Sequence, residues 1–294
     1  MCLIAFDFAP TGRFQLVLAA NRDEVFVRAT APAHWWADAP GVFGGRDLVA
    51  GGGWLLVARD GRIAALTNYR QGSASAQAEQ SSRGELVANF VRPAHPGETI
   101  AQHAERVAAS ARRYAGFTLL LFELGARPGA WWVSNRPEAA AAPIGPGIHA
   151  ISNAGLDAPW PKATRLRAAL ARARDGAQGA QAADNSALME ALTDRSLPAD
   201  ADLPDTGVGV ARERLLAPAF VTGDAEFPPL PYGTRSSSVI SVRDDGEVAV
   251  SERTWIVPGA PTAGHRDRSA FFRLDRAAFV ARSAQQAEDL PKQL

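Results

Sequence analysis

Along the chain, short apolar runs alternate with turn chemistry. Leu3–Phe8 (LIAFDF) and Phe14–Ala20 (FQLVLAA) flank Ala9-Pro-Thr-Gly-Arg13, which predicts a β-hairpin with both strands in a buried sheet. Leu55–Ala58 and Arg62–Asn68 flank Arg59-Asp-Gly61, a second hairpin with Asp60-Gly61 as its turn signal. Phe117–Glu123 with Ala130–Ser134 reads as a third, and Ser236–Val242 with Glu247–Trp255 as a last one turning at Asp244-Asp-Gly246. Ile148–Ser152 is a further strand that stops at Asn153. Residues 83–93 and 97–113 carry helical spacing, and 161 to about 215 is rich in Ala, Arg and Leu and reads as mainly helical.

Between these elements, residues 30–53 are rich in Pro, Trp and Gly and read as an irregular excursion packed down by Trp35 and Trp36. Residues 70–82 form a polar low-complexity loop of the length used for lids. The polar tail after about 280 reads as frayed. About eight strands in hairpins, with helices inserted in blocks, predict an α+β fold with antiparallel sheets rather than alternating βαβ units. No glycine-rich phosphate loop, repeat or low-complexity linker divides the chain, so 1–294 is read as one domain.

Composition narrows the function. The hydrophobic content of 47% suffices for a full globular core. Lys plus Arg and Asp plus Glu number 31 each, so net charge gives no argument for nucleic acid or an anionic membrane. No apolar stretch reaches the ~18 residues of a membrane span. MCLIAFDFAPTGR lacks the charged region and long apolar core of a signal peptide, so a cytoplasmic protein is expected. The single cysteine excludes an internal disulfide framework and any multi-cysteine metal site.

That cysteine is Cys2, which removal of the initiator methionine would make N-terminal. Its thiol and α-amine, with ordinary pKa values of about 8.5 and about 7.7–8.0, then form a nucleophile and its base within one residue. A thiolate attacking an amide also needs a cation and oxyanion donors. Four polar motifs follow apolar strands: Asn21-Arg-Asp-Glu24, Thr67-Asn-Tyr69, Ser152-Asn153 and Tyr232-Gly-Thr-Arg235. From these, Arg22 or Arg235 could supply the cation, Asn68 and Asn153 the donors, and Asp23 the orientation of the amine. Each has a structural alternative: the asparagines as turn formers at strand ends, the arginines as surface ion-pair partners.

MCLIAFDF, LAANRDE, GGGWLL with ALTNYR, ISNAGLDAPWPK and PYGTRSSSVI together resemble the NRDE family, the group of transport and Golgi organisation protein 2 and its bacterial relatives, over about residues 1–257. The usual GGTW motif of that family reads Gly51-Gly-Gly-Trp54 here, so no chemistry is assigned to the missing threonine. The family in turn resembles the cysteine N-terminal nucleophile hydrolases, such as bile salt hydrolase and penicillin V acylase. This resemblance implies a four-layer αββα sandwich of two antiparallel sheets and a site made of Cys2, Arg22, Asp23, Asn68, Asn153 and Arg235. In the acylases the early arginine and aspartate are separated, whereas Arg22 and Asp23 are adjacent. If the strand runs on to residue 24, Arg22 and Glu24 share a face and Asp23 does not, which leaves Asp23 and Glu24 as alternatives for the acidic partner.

The expected function is hydrolysis of a non-peptide C–N bond in a small molecule through a thioester, with no cofactor. The rival is a non-catalytic carrier of haem or of acyl-CoA and lipid, with Cys2 or one of His34, His95, His103, His149 and His265 as an axial haem ligand; none of the histidines has metal-binding spacing. A redox sensor ranks last, because the lone thiol has no resolving partner in the chain. Trp35, Trp36, Tyr69 and the 70–82 loop are the expected pocket walls. Oligomeric state is not readable from the sequence.

Overall fold

The computed structural model describes residues 2–70, 72, 81–92, 97–176, 185–222, 231–256 and 264–275. Among the described residues, thirteen strands form two antiparallel sheets. They are β1 (Cys2–Phe8), β2 (Phe14–Val25), β3 (Thr30–Trp36), β4 (Ala39–Asp47), β5 (Leu55–Ala58), β6 (Arg62–Asn68), β7 (Phe117–Glu123), β8 (Gly129–Ser134), β9 (Ala140–Pro143), β10 (Gly147–Ile151), β11 (Tyr232–Arg243), β12 (Glu247–Trp255) and β13 (His265–Arg273). One sheet has the order β10-β1-β2-β11-β12-β13, the other β3-β4-β5-β6-β7-β8-β9.

Strand alternation separates three apolar layers. The even-numbered Ile4, Phe6, Phe8, Leu16, Leu18 and Ala20 face inward and meet Leu55, Val57, Ile63, Leu120 and Phe122 of the other sheet. The odd-numbered Leu3, Ala5, Val17 and Ala19 face outward, under α3 (Pro161–Gly176) and α4 (Asn185–Ala191). On the far side, Ala64, Leu66, Leu119 and Leu121 pack beneath α1 (Gly84–Val91) and α2 (Ile100–Ala109). The result is the αββα sandwich anticipated from the family resemblance. Local chemistry supports the helices: Thr99 and Gln102 make a reciprocal capping box at α2, and Pro161 opens α3 where a missing N–H is harmless.

Several sequence expectations change. Residues 30–53 are not irregular, since they hold β3 and β4. Their prolines disguised them: Pro32 lies in β3, an edge strand of its sheet, and Pro40 near the start of β4, where a missing donor is tolerated. β13 was missed because HRDRSAFFR is largely exposed and charged, as edge strands often are. The short alanine strand β9 was missed as well. Among its described residues the stretch 161–215 holds α3, α4, α5 (Val210–Leu215) and a short 3-10 turn at Asp200–Asp202, and Pro198, Pro204 and Gly207 interrupt it between α4 and α5. Most of the 70–82 loop and the tail after 280 lie outside the described residues, as does His95. Among the described residues no helix is long and apolar enough to cross a membrane, and no group of three or more His, Cys, Asp or Glu side chains is placed to hold a metal ion.

Candidate active site around the ends of the central strands

The tetrapeptide 21–24 lies inside β2, which runs on to Val25 rather than ending at Ala20. Its side chains therefore alternate between two compartments. Asn21 points outward and is structural: its Nδ2 donates to the carbonyls of Leu192 and Ala219, both at 2.8 Å, and its Oδ1 accepts from Ser237 Oγ at 2.6 Å. These bonds tie β2 to the segments after α4 and before β11.

Arg22 points inward. Its guanidinium lies 4.3 Å from the ring centre of Trp54 and 3.5 Å from Glu24 Oε2, and it reaches Thr30 Oγ1 at 3.4 Å. Glu24 also accepts from the Val25 N–H at 2.9 Å and stands 3.9 Å from Arg28. Trp54 reaches Arg22 because position 45 is glycine: a Cβ there would stand 2.2 Å from the indole. Gly52 is equally constrained, since a Cβ on it would meet the Gly84 backbone at the start of α1 at 2.4 Å. The glycines of this region thus serve close approach.

Asp23 points outward and is buried. Thr234 Oγ1 donates to its Oδ1 at 2.7 Å. Burial raises its pKa, opposed by the positive charges of the amino terminus, Lys162 and Arg70 and by the Thr234 bond. Lys162 is itself buried, its Nζ donating to the Leu216 carbonyl at 2.9 Å.

Asn153 is fully buried just beyond β10. Its Nδ2 donates to the Asn68 carbonyl at 2.9 Å, while its Oδ1 accepts from Arg70 Nη2 at 3.0 Å and from Ser152 Oγ at 3.3 Å. Arg70 also pairs with the buried Glu213, whose Oε1 accepts from the Thr206 N–H at 3.0 Å.

Arg235 is the extra residue of a β-bulge, where Thr234 pairs with Asp23 and Ser236 with Arg22. Its Nη1 donates to the carbonyls of Val25, Phe26 and Arg28 at 2.9–3.2 Å, so it braces the β2–β3 turn. Burial and the nearby Arg22 lower its pKa, and Glu24 opposes them.

A cleft of about 470 Å³ opens at this end of the sandwich, lined among others by Arg22, Asp23, Glu24, Trp54, Asn68 and Tyr232. Arg235 and Asn153 are not among its described lining residues. The aromatic wall is Trp54 and Tyr232 rather than the expected Trp35 and Trp36. Trp35 packs edge-on against Phe43 and Phe272, and Trp36 is buried beneath the helices, bonded to the Gly44 carbonyl. The backbone of Cys2, first residue of β1, pairs directly with Arg22.

The sequence model of the family described as Transport and Golgi organisation 2 matches residues 1–256. The chain belongs to that family. The Transport and Golgi organization protein 2 homolog of Bos taurus is 33% identical over 270 residues, covering 87% of this chain and 94% of that one. The Homo sapiens homolog is 31% identical over 266 residues with the same coverages. Among solved structures, an N-acylethanolamine-hydrolyzing acid amidase ortholog of Caenorhabditis elegans superposes with a TM-score of 0.38 at 9% identity, covering 81% of this chain and 92% of that one. The C2A mutant of a Clostridium perfringens conjugated bile acid hydrolase gives 0.38 at 8% identity, covering 94% and 98%.

Within the motifs that mark this Transport and Golgi organisation 2 family member, sequence reasoning missed Arg70, Lys162 and Thr234. They stand next to or near residues it did select: Arg70 two after Asn68, Lys162 at the end of ISNAGLDAPWPK, Thr234 just before Arg235. For Arg70 and Lys162 the available signal was a charged residue closing an otherwise apolar or turn-forming motif; Thr234 carried no such signal.

Proposed function

We propose that this protein is an N-terminal-cysteine amidohydrolase acting on a non-peptide C–N bond of a small molecule. The observation that carries the reading is the backbone row at the cleft: Cys2 pairs with Arg22, and Arg22 pairs with Ser236. On the other side of β1, the pairing with β10 ends at Ile4–Ile151, two residues before Asn153. With Met1 removed, the α-amine takes the thiol proton and the Sγ thiolate bonds the amide carbon, the carbonyl electron pair moving onto oxygen. As that oxyanion collapses, the C–N bond breaks and the amine's proton goes to the leaving nitrogen. Water, deprotonated by the same amine, then attacks the thioester and releases the carboxylic acid and the thiol. Arg22 favours the thiolate, Glu24 fixes Arg22, Asp23 orients the ammonium, and Asn68 and Asn153 serve the oxyanion. Arg235 supports the turn that carries Arg28.

The rival reading is a haem or acyl-CoA carrier on the same fold. Its histidine ligands find little support, because His34, His103 and His149 each have a ring nitrogen within 3.0 Å of a carbonyl or carboxylate oxygen, and none lines the cleft. The test is intact-mass analysis of purified protein after exposure to a series of N-acyl-p-nitroanilides. Expected are loss of Met1, release of p-nitroaniline and a transient acyl adduct on Cys2, all chemistry absent from Cys2→Ala. Retained Met1, or full activity in Cys2→Ala, overturns the reading. A saturable Soret shift with haemin that is lost in Cys2→Ala, without any acyl adduct, replaces it with the carrier.

A further inference from the structure

We infer that Arg70 is a positioning residue that sets and polarises the Asn153 amide for oxyanion binding; this rests on the hydrolase reading above. Arg70 holds Asn153 twice. Its backbone N–H donates to the Asn153 carbonyl at 2.9 Å, and its Nη2 donates to Oδ1 at 3.0 Å. The amide sense is thereby fixed, with Oδ1 turned to the guanidinium and Nδ2 to the Asn68 carbonyl. Nδ2 carries two hydrogens, and Asn68 takes one. A cation bonded to the amide oxygen draws density from its nitrogen and strengthens the remaining N–H as a donor.

Arg70 is itself held on every side. Glu213 pairs with it, Trp160 lies 5.0 Å from its guanidinium carbon, and both members of the ion pair are buried. Burial is the main influence lowering the Arg70 pKa, opposed by Glu213; an arginine so placed stays cationic. Glu213 is anchored by the Thr206 N–H and hydroxyl. A buried ion pair is a poor means of gaining stability, because desolvation offsets its attraction. Here it presents its guanidinium to a single buried asparagine, which is bonded in turn to the carbonyl of the cleft-lining Asn68.

The test compares two reagents on the Cys2 thiol of the full chain. Iodoacetamide alkylates by displacing iodide at a tetrahedral carbon, so no oxyanion forms. p-Nitrophenyl acetate acylates through an oxyanion and expels p-nitrophenolate. The variant Arg70→Met/Glu213→Gln removes both charges, while the introduced carboxamide retains an acceptor for Thr206. Its alkylation rate should match wild type while its acylation rate falls by about tenfold or more, part of the ~10²–10³ that loss of a whole oxyanion donor costs. If that variant does not fold, Arg70→Lys keeps the charge but lacks the fork that spans Glu213 and Asn153, and it too must slow acylation selectively. Acylation at the wild-type rate in a folded variant, or equal slowing of both reactions, overturns the role of Arg70. Wild-type protein that alkylates but never acylates overturns the hydrolase reading instead.

Discussion

Gly45→Ala tests whether the glycine-dependent seat of Trp54 governs the site. The new methyl would stand 2.2 and 2.3 Å from two indole carbons, against the ~3.5–4.0 Å of a relaxed carbon contact. The ring must therefore move by more than about 1 Å or the strand must shift. Overpacking of this kind costs about 1–3 kcal/mol. Displacing the indole also weakens the stacking of Arg22 at 4.3 Å, worth about 1–2 kcal/mol for a partly desolvated pair. Together these give roughly 2–5 kcal/mol, or a Tm lower by about 3–8 °C at this chain length. The effect should be coupled: with Trp54→Leu already in place, Gly45→Ala has little left to displace. The assay is a double-mutant cycle by urea unfolding, read alongside the iodoacetamide rate at Cys2. A Gly45→Ala protein as stable as wild type, or single effects that simply add, would refute the argument. Unchanged thiol reactivity despite the lost stability would separate Trp54 from the chemistry.

The Asp23 pKa is raised above its ordinary 3.8, chiefly by burial. Its contribution to stability is thus fully present below the unfolded-state pKa and is lost as pH rises through the folded-state pKa. Asp23→Asn should therefore gain on wild type in urea midpoint as pH rises above about 4, and lose the amide hydrolysis proposed above; a wild type that gains on the variant over that rise contradicts the assignment. Asn21→Ala deletes three buried hydrogen bonds and strands their partners, so unfolding free energy should drop by roughly 3 kcal/mol or more. A drop below about 1 kcal/mol would show that solvent or relaxation replaces those bonds.

How much was legible in the sequence follows from which signals are local. The hairpins at 2–25, 55–68, 117–134 and 232–255 announce themselves through apolar runs and turn residues. β3 and β13 do not, since edge strands are written in prolines and charges that resemble loops. The alternation of Arg22 and Asp23 between faces was deducible from adjacency once the strand was known to continue. Its continuation was hidden because four polar residues in a row mimic a loop; Asn21 is a strand residue through its pairing with Leu3 and Ser237, and the side-chain partners that bury it, Leu192 and Ala219, lie more than 170 residues away. Arg235 shows how a residue type and its setting can point different ways. As a residue type it suits an anion, but three backbone carbonyls already occupy its Nη1.

The bulge at Arg235 has a consequence for length as much as for charge. Thr234 and Ser236 are two positions apart, so an unbroken strand would turn both to one side. The unpaired residue between them shifts the count, and a threonine faces the outward carboxylate while a serine joins the inward cation. Deleting Arg235 would make Thr234 and Ser236 neighbours, and neighbours in an unbroken strand already point to opposite faces. The pairs Thr234–Asp23 and Ser236–Arg22 would then survive in a regular ladder. What would be lost is the bulge itself and the bonds from Nη1 to the carbonyls of Val25, Phe26 and Arg28. The extra residue is therefore a device for the β2–β3 turn, and the register of β11 on β2 does not depend on it.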